Sequence, residues 1–178
     1  MSQLLRSPVA GITSAMVRQS RASPAPLVII TRPAGQGAEF AAQVARVFGA
    51  DRVIVSPLMV TQYLPIAPRL AGFSALVLTS PAAVEAIRRD PQPLPTLAYC
   101  VGARTAAEAR ALGLIAHSAD GTAEDLMRLV TRAHSQGRVL YLHGQDIRVD
   151  LAAALNSAGI ETVSALAYRQ LPAPLSDS

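Results

Sequence analysis

Short apolar runs alternate with segments of helical periodicity along most of the chain. The apolar runs predict strands near residues 27–31, 52–55, 75–79, 97–101, 138–142 and 162–167, with a weaker one near 114–117. The intervening segments predict helices near residues 35–48, 81–89, 104–112, 122–134 and 148–158. Strands that alternate with helices favour an α/β fold, in which a parallel sheet carries helices on both faces. Thr122 followed by Asp125 also resembles a capping box at a helix start.

Four of the predicted strands run into residues that begin or cap helices, namely Thr, Ser, Gly and Pro. These strand–turn–helix segments are residues 27–33, 76–81, 99–105 and 139–144. The carboxyl ends of parallel strands meet at one edge of a sheet, and helix N-termini present free N–H groups there. The pattern therefore predicts an anion-binding site at that edge.

Residues 57–72 interrupt the alternation. They contain Pro57, Pro65 and Pro68, so we expect an extended crossover and a domain boundary rather than a regular element. The residues before this boundary, 27–56, hold two strands and one helix, which is too little for an independent domain.

The amino-acid composition argues against two classes of function, nucleic-acid binding and association with a membrane. Of 178 residues, 51% are apolar and 16% are charged, so the chain can bury a sizeable core in one domain or two small ones. The formal charge of +4 is misleading, because the first 26 residues contain three Arg and no acid, whereas the rest contain 13 Arg and 12 acids. A nearly neutral remainder argues against nucleic-acid binding. No apolar run approaches the roughly 18–20 residues of a membrane-spanning helix, so no membrane partner is expected.

Residues 1–26 are rich in Ser, Ala and Arg, which predicts either a disordered extension or a transit-like segment. The expected location is the cytoplasm, or an organelle if this segment is a transit peptide. Cys100 is the single cysteine, so the chain cannot form an internal disulfide or a Cys-rich metal site.

Hydroxyl groups follow two of the predicted strands. Thr79 or Ser80 can cap the helix that begins at Pro81, and Ser80 with its neighbouring N–H groups can instead contact an anion. Gly102 permits a tight turn, and Thr105 can cap a helix or contact a ligand. The residues themselves leave the structural and the binding roles open.

Three arginines, Arg32, Arg104 and Arg148, fall in or just after strand-end loops. Each alone is a solvated surface charge, but three on one rim of a sheet would suit a carboxylate or phosphate ligand. The sequence contains no dinucleotide fingerprint, Walker loop or serine-nucleophile elbow, and its histidines lack the spacing of a metal site. We therefore expect no cofactor and no metal.

Several segments resemble those of uroporphyrinogen-III synthases in their residues and in their order along the chain. They are residues 28–33, 76–84, 101–106, 118–126, 139–144 and 167–169. The resemblance covers about residues 27–172 and implies two flavodoxin-like α/β domains, joined by a two-stranded linker, with the active site in the cleft between them. The first domain in that family is discontinuous, with its start and its end drawn from the two ends of the chain.

The resemblance also implies domain bounds. Residues 27–58 would begin domain 1, residues 59–66 would be a linker, and residues 67–165 would form a complete domain 2. Residues 166–178 would be the returning linker and a truncated end, so the resemblance is to a C-terminally truncated member. Family members are monomers, whereas a partial domain exposes apolar sheet edges through which this chain could associate with itself.

The implied activity, in tetrapyrrole (porphyrin and heme) biosynthesis, closes the small-molecule substrate hydroxymethylbilane to uroporphyrinogen III, with inversion of the terminal pyrrole ring and loss of water. The family uses no metal or cofactor. Tyr168 matches the tyrosine that assists departure of the hydroxyl group, although it could equally be an aromatic packed on the linker. The expected substrate-binding residues are Thr79, Ser80, Gly102, Thr105, Arg32, Arg104, Gly144 and Arg148. The alternative function is a non-catalytic α/β module that binds a small anion.

Overall fold

The computed structural model describes residues 26–174, which form eight strands, five α-helices and two short 3₁₀ helices, Ala50–Arg52 and Leu70–Gly72. The strands are β1 (Val28–Ile30), β2 (Val53–Val55), β3 (Met59–Tyr63), β4 (Ala75–Leu78), β5 (Leu97–Cys100), β6 (Ile115–Ser118), β7 (Val139–Gly144) and β8 (Thr162–Pro172). The helices are α1 (Ala34–Phe48), α2 (Pro81–Arg89), α3 (Ala103–Ala111), α4 (Ala123–Ala133) and α5 (Leu151–Ser157). The predicted α/β alternation is confirmed.

Six strands form the main sheet, in the order β3-β8-β7-β4-β5-β6. All neighbours are parallel except β3, which runs antiparallel to β8 at the edge. When the parallel strands are numbered along the chain, their order is 3-2-1-4-5, whereas flavodoxin itself has 2-1-3-4-5. The α/β class is as expected from the sequence, and the strand order reverses between β4 and β7.

The central strands of the main sheet, β4, β5 and β7, are buried on both faces. Leu76, Leu78 and Leu140 pack with α2 and α3 on one face. Val77 and Tyr141 point to the other face and pack with α4 and α5. Successive side chains of a strand alternate between faces, so a sheet covered on both sides needs continuous apolar runs. The continuous apolar runs of these strands therefore made them predictable from the sequence.

Helix caps fix where the helices of the main unit begin. The Ser80 hydroxyl accepts a hydrogen bond from the Ala82 N–H at 3.0 Å and caps α2, with Pro81 as the first helical residue. Thr122 and Asp125 form the predicted capping box at the start of α4. Asp150 caps α5, so this helix begins at Leu151 and not near residue 148 as the sequence predicted.

We expect Thr122→Ala to lower the free energy of unfolding by about 1 kcal/mol, because the variant leaves an N–H group of α4 without its side-chain acceptor. Urea unfolding followed by circular dichroism measures the change. Thr131→Ala, at an exposed position of the same helix, is the matched control and should stay within about 0.5 kcal/mol of the parent. Equal losses in the two variants would contradict a stabilising cap.

The extended crossover predicted at residues 57–72 is partly wrong. Residues 59–63 form the regular strand β3, which pairs antiparallel with the outer half of β8. The residues that pair with β3 lie more than 100 positions away in the chain, so this pairing cannot be predicted from a local sequence pattern. Pro57 and Pro65 lie just outside the strand and are compatible with it, because proline is tolerated where no ladder hydrogen bond is needed.

The segment before β3 forms a separate, small unit in which β1 and β2 pair in parallel and α1 packs against them. Ile30 is buried here, but many large apolar side chains are exposed, including Val47 at 75%. The exposed group from this unit is Leu27, Ile29, Phe40, Val47, Phe48 and Val55. Two strands and one helix thus leave much of their apolar surface uncovered, as expected from the sequence.

Candidate active-site cleft

A cleft of about 260 Å³ opens at the carboxyl ends of β4 and β7, beside β8. Its lining residues are Thr79, Ala123, Tyr141, His143, Gly144, Asp146, Ile147, Arg148, Val149, Leu151 and Tyr168. The strand order reverses between β4 and β7, and open α/β sheets bind their ligands at such reversals. We therefore take the sheet edge at the carboxyl ends of β4 and β7 as the candidate site.

Tyr168 lies against the backbone of Gly144 in this cleft. An irregularity in the pairing of β7 with β8 places the two residues opposite each other, and the Gln145 N–H donates to the Tyr168 carbonyl oxygen at 3.0 Å. A Cβ atom on Gly144 would lie 2.6 Å from Cε2 and 3.0 Å from the hydroxyl oxygen of Tyr168. Only glycine allows the aromatic ring to lie across the strand at this point.

Tyr141 contributes a second hydroxyl group to the lining. Tyr141 is buried, at 3% exposed, and lines the cleft together with Thr79. Burial raises the pKa of Tyr141, and the contact with Thr79 opposes this effect, whereas Tyr168 and Asp150 add to it. The raised pKa keeps the phenol neutral at physiological pH, so it can donate a hydrogen bond. Sequence reasoning missed Tyr141 because a tyrosine inside an apolar strand has the pattern of a core residue.

Arg148 is an exposed cation in the lining, between β7 and α5. Asp146 is a carboxylate two residues earlier in the same loop. His143 is held by a 2.7 Å contact from Nδ1 to the Gly144 carbonyl oxygen, and its ring centroid lies 5.0 Å from that of Tyr141. The carbonyl can only accept, so Nδ1 carries the proton of this hydrogen bond.

The remaining predicted substrate-binding residues lie outside the cleft lining. Ser80 directly follows Thr79 but caps α2. Gly102 precedes α3 at the end of β5, and the exposed Arg104 follows in the first turn of that helix. Thr105 does not cap α3, because the helix begins at Ala103, and its side chain is turned into the core and 3% exposed.

The three arginines expected on one rim are not gathered in this cleft. Arg148 lines it, whereas Arg104 lies beyond the end of β5. Arg32 belongs to the small unit, where its guanidinium lies 4.6 Å from the centroid of the Phe40 ring. Each arginine has the strand-end position that the sequence pattern predicts, but that pattern does not determine the order of the strands within the sheets.

A family model described as uroporphyrinogen-III synthase HemD matches residues 39–178 of the chain. The chain belongs to the uroporphyrinogen-III synthase family. The matched range contains every residue of the cleft lining and leaves out β1 and Arg32. The expectation drawn from the sequence motifs is thus confirmed at the level of the family.

Solved structures of uroporphyrinogen-III synthases resemble this fold. The enzyme of Helicobacter pylori superposes with a TM-score of 0.52 at 21% sequence identity, over 70% of this chain and 58% of that one. A mutant of the Thermus thermophilus enzyme gives a TM-score of 0.55 at 21% identity, over 83% of this chain and 64% of that one. The chain therefore spans less than two thirds of the length of either structure. A search of curated proteins gave no match.

Three further features can be stated for residues 26–174. This part of the chain holds no group of three or more His, Cys, Asp or Glu residues placed to bind a metal ion. Burial raises the pKa of the Cys100 thiol to about 11, so it is an unreactive core side chain. No helix within the same residues has both the length and the apolar character needed to cross a membrane.

Proposed function

We propose that this chain supplies one wall of the cleft in which a uroporphyrinogen-III synthase closes hydroxymethylbilane, a linear tetrapyrrole with eight carboxylates. One observation carries the proposal: Tyr168, the residue that matches the family's tyrosine, lies in the cleft where the strand order reverses. Membership of the family supports the same conclusion.

The proposed reaction requires loss of the terminal hydroxyl group of the substrate, which leaves a cationic azafulvene. Attack on that cation, through a spiro intermediate, inverts the last pyrrole ring, so the net change is ring closure with loss of water. Tyr168 would donate a hydrogen bond to the departing hydroxyl, and Arg148 would pair with a substrate carboxylate. Positioning is the main task, because the substrate itself supplies the electrophile.

We also propose the domain division that the sequence motifs suggested. Residues 27–58 would begin domain 1, residues 59–66 would be a linker, residues 67–165 would form domain 2, and residues 166–178 would be the return linker and a truncated end. The separate β1–β2 sheet supports the first assignment. The pairing of β3 with β8, from Met59 opposite Pro172 to Tyr63 opposite Tyr168, supports a two-stranded connection.

The activity is tested by giving the purified chain freshly prepared hydroxymethylbilane and separating the oxidised uroporphyrin isomers by chromatography. We expect isomer III to exceed its level in a control without protein, where spontaneous closure gives isomer I. If isomer I is the sole product, the chain by itself is not a synthase. Retained binding of uroporphyrinogen III in that case would favour the non-catalytic anion-binding module.

We expect Arg148→Gln to raise KM for hydroxymethylbilane by up to about tenfold with kcat nearly unchanged, because a carboxylate contact at an exposed position contributes mainly to ground-state binding. Steady-state kinetics measure the two constants. Arg132→Gln, an exposed arginine on α4 outside the cleft lining, is the matched control and should leave KM at the parental value. An unchanged KM for Arg148→Gln would remove this residue from substrate binding.

A further inference from the structure

The proposed reaction releases a proton as well as a hydroxyl group. The water that is lost takes its hydroxyl from one carbon of the substrate and its hydrogen from another, the pyrrole carbon that forms the closing bond. That carbon must lose a proton before its ring regains aromaticity. Tyr168 serves as the donor at the departing hydroxyl, so the cleft needs a second group that accepts the proton from carbon.

His143 lines the cleft with one ring nitrogen fixed and the other without a partner. Its Nδ1 donates to the Gly144 carbonyl oxygen at 2.7 Å, which places the lone pair of the neutral imidazole on Nε2. No group within residues 26–174 forms a hydrogen bond with Nε2. The side chain is half-buried, so it is partly shielded from water while it borders the cleft.

The imidazole ring is held in a defined position. The hydrogen bond from Nδ1 fixes one of its edges, and the Tyr141 ring packs beside it, with the centroids 5.0 Å apart and the planes inclined by 33°. Tyr141 lies two residues earlier on β7, on the same face of the sheet, and is itself buried in the core. A base held in this way loses little conformational entropy when a substrate binds.

Asp146 is the other basic side chain of the cleft lining. It is exposed, and none of the residues that the structure describes holds its carboxylate. Proton transfer requires a base that is positioned within hydrogen-bond reach of the proton, which favours a side chain that is already held. Imidazole is also the side-chain group that takes up and releases a proton near neutral pH. His143 therefore fits the task better than Asp146.

We propose that His143 is the general base that removes the proton from the pyrrole carbon at which the ring closes. The C–H bond breaks, its electron pair restores the aromatic pyrrole, and the proton moves to Nε2. The imidazolium then releases this proton to solvent, and Tyr168 regains the one that it gave to the departing hydroxyl. One molecule of water is thus the net product. The inference rests on the proposed function, because it assigns a second catalytic group to that reaction.

His143→Asn tests the role, because the amide of asparagine can still donate to the Gly144 carbonyl oxygen but carries no basic nitrogen. We expect kcat for isomer III to fall about a hundredfold, with KM and the midpoint of urea unfolding near their parental values. Deuterium at the reacting pyrrole carbon should slow this variant more than the parent chain, since proton removal becomes the slow step. His117→Asn is the matched control, because His117 is exposed and lies outside the cleft lining.

Added imidazole should restore part of the activity of His143→Ala, whereas pyrazole, a ring of the same size and much weaker basicity, should restore none. Equal rescue by the two compounds would mean that the side chain merely fills space, and would overturn the inference. A parental kcat in His143→Asn would also overturn it and would leave Tyr168 to exchange both protons. In either case the parent chain still forms isomer III, whereas absence of isomer III from the parent chain contradicts the proposed function itself.

Discussion

Tyr168→Phe is expected to lower the rate of uroporphyrinogen III formation by about a hundredfold, because a positioned proton donor typically contributes 10²–10⁴-fold. The variant keeps the ring that packs across Gly144 and removes only the hydroxyl group. The free energy of unfolding should therefore change by no more than about 1 kcal/mol. The measurement is the initial rate of isomer III formation, resolved by chromatography from the spontaneous isomer I.

The matched control for this variant is Tyr63→Phe. Tyr63 lies directly opposite Tyr168 on the antiparallel neighbour β3, but it is not part of the cleft lining. Its ring is held by the Arg89 guanidinium, 4.4 Å from the ring centroid, and this contact does not need the hydroxyl. Tyr63→Phe should react at the parental rate. Normal turnover by Tyr168→Phe would remove Tyr168 from the leaving-group step and favour its role as an aromatic packed on the linker.

Gly144→Ala is expected to reduce both stability and activity. A Cβ atom at this position would lie 2.6 and 2.7 Å from two ring carbons of Tyr168, so the ring must shift from its position in the cleft. We expect the free energy of unfolding to fall by about 1–3 kcal/mol, as for other insertions into packed sites. The rate of isomer III formation should fall about as far as in Tyr168→Phe, because a displaced hydroxyl loses its alignment with the leaving group.

Whether the ring of Tyr168 causes the stability loss of Gly144→Ala is tested by combining Gly144→Ala with Tyr168→Ala. With the ring gone, the added methyl group meets no aromatic carbon, so the substitution should cost far less stability there than in the parent chain. Gly102→Ala provides a steric control, because a Cβ at that position meets no atom within 4 Å. An equal stability loss from Gly144→Ala in both backgrounds would mean that the backbone, rather than the ring of Tyr168, requires glycine.

The central strands were predictable because β4, β5 and β7 are covered on both faces of the sheet and are therefore almost continuously apolar. The capping box of Thr122 and Asp125 was predictable because both partners lie within one helical turn. β3 was missed because its pairing with β8 is not local and prolines flank it. The apolar pattern predicts a helix from about residue 148, whereas α5 begins at Leu151 because Asp150 is its cap.

The residues of the candidate site were predictable only in part, because sequence patterns do not reveal the order of the strands in the sheet. Thr79, Gly144, Arg148 and Tyr168 all line the cleft, as strand-end positions and the family motifs suggested. Thr105, Arg104 and Arg32 occupy similar strand-end positions, but their strands do not adjoin the point where the order reverses. The steric role of Gly144 and the place of Tyr141 in the cleft depend on register between strands, which single-strand patterns do not contain.

Tyr168 occupies the one residue of β8 that pairs with neighbours on both sides, with Gly144 of β7 and with Tyr63 of β3. Its backbone is thus fixed along both edges of the strand, and a tyrosine side chain adds just two rotatable bonds. Little conformational entropy is left for Tyr168 to lose when a ligand arrives, because the cost of ordering it has been met during folding. The hydroxyl that we propose to act on the leaving group is therefore carried by a residue whose backbone is ordered before a ligand binds, whereas a residue on a free loop would be ordered at the expense of affinity.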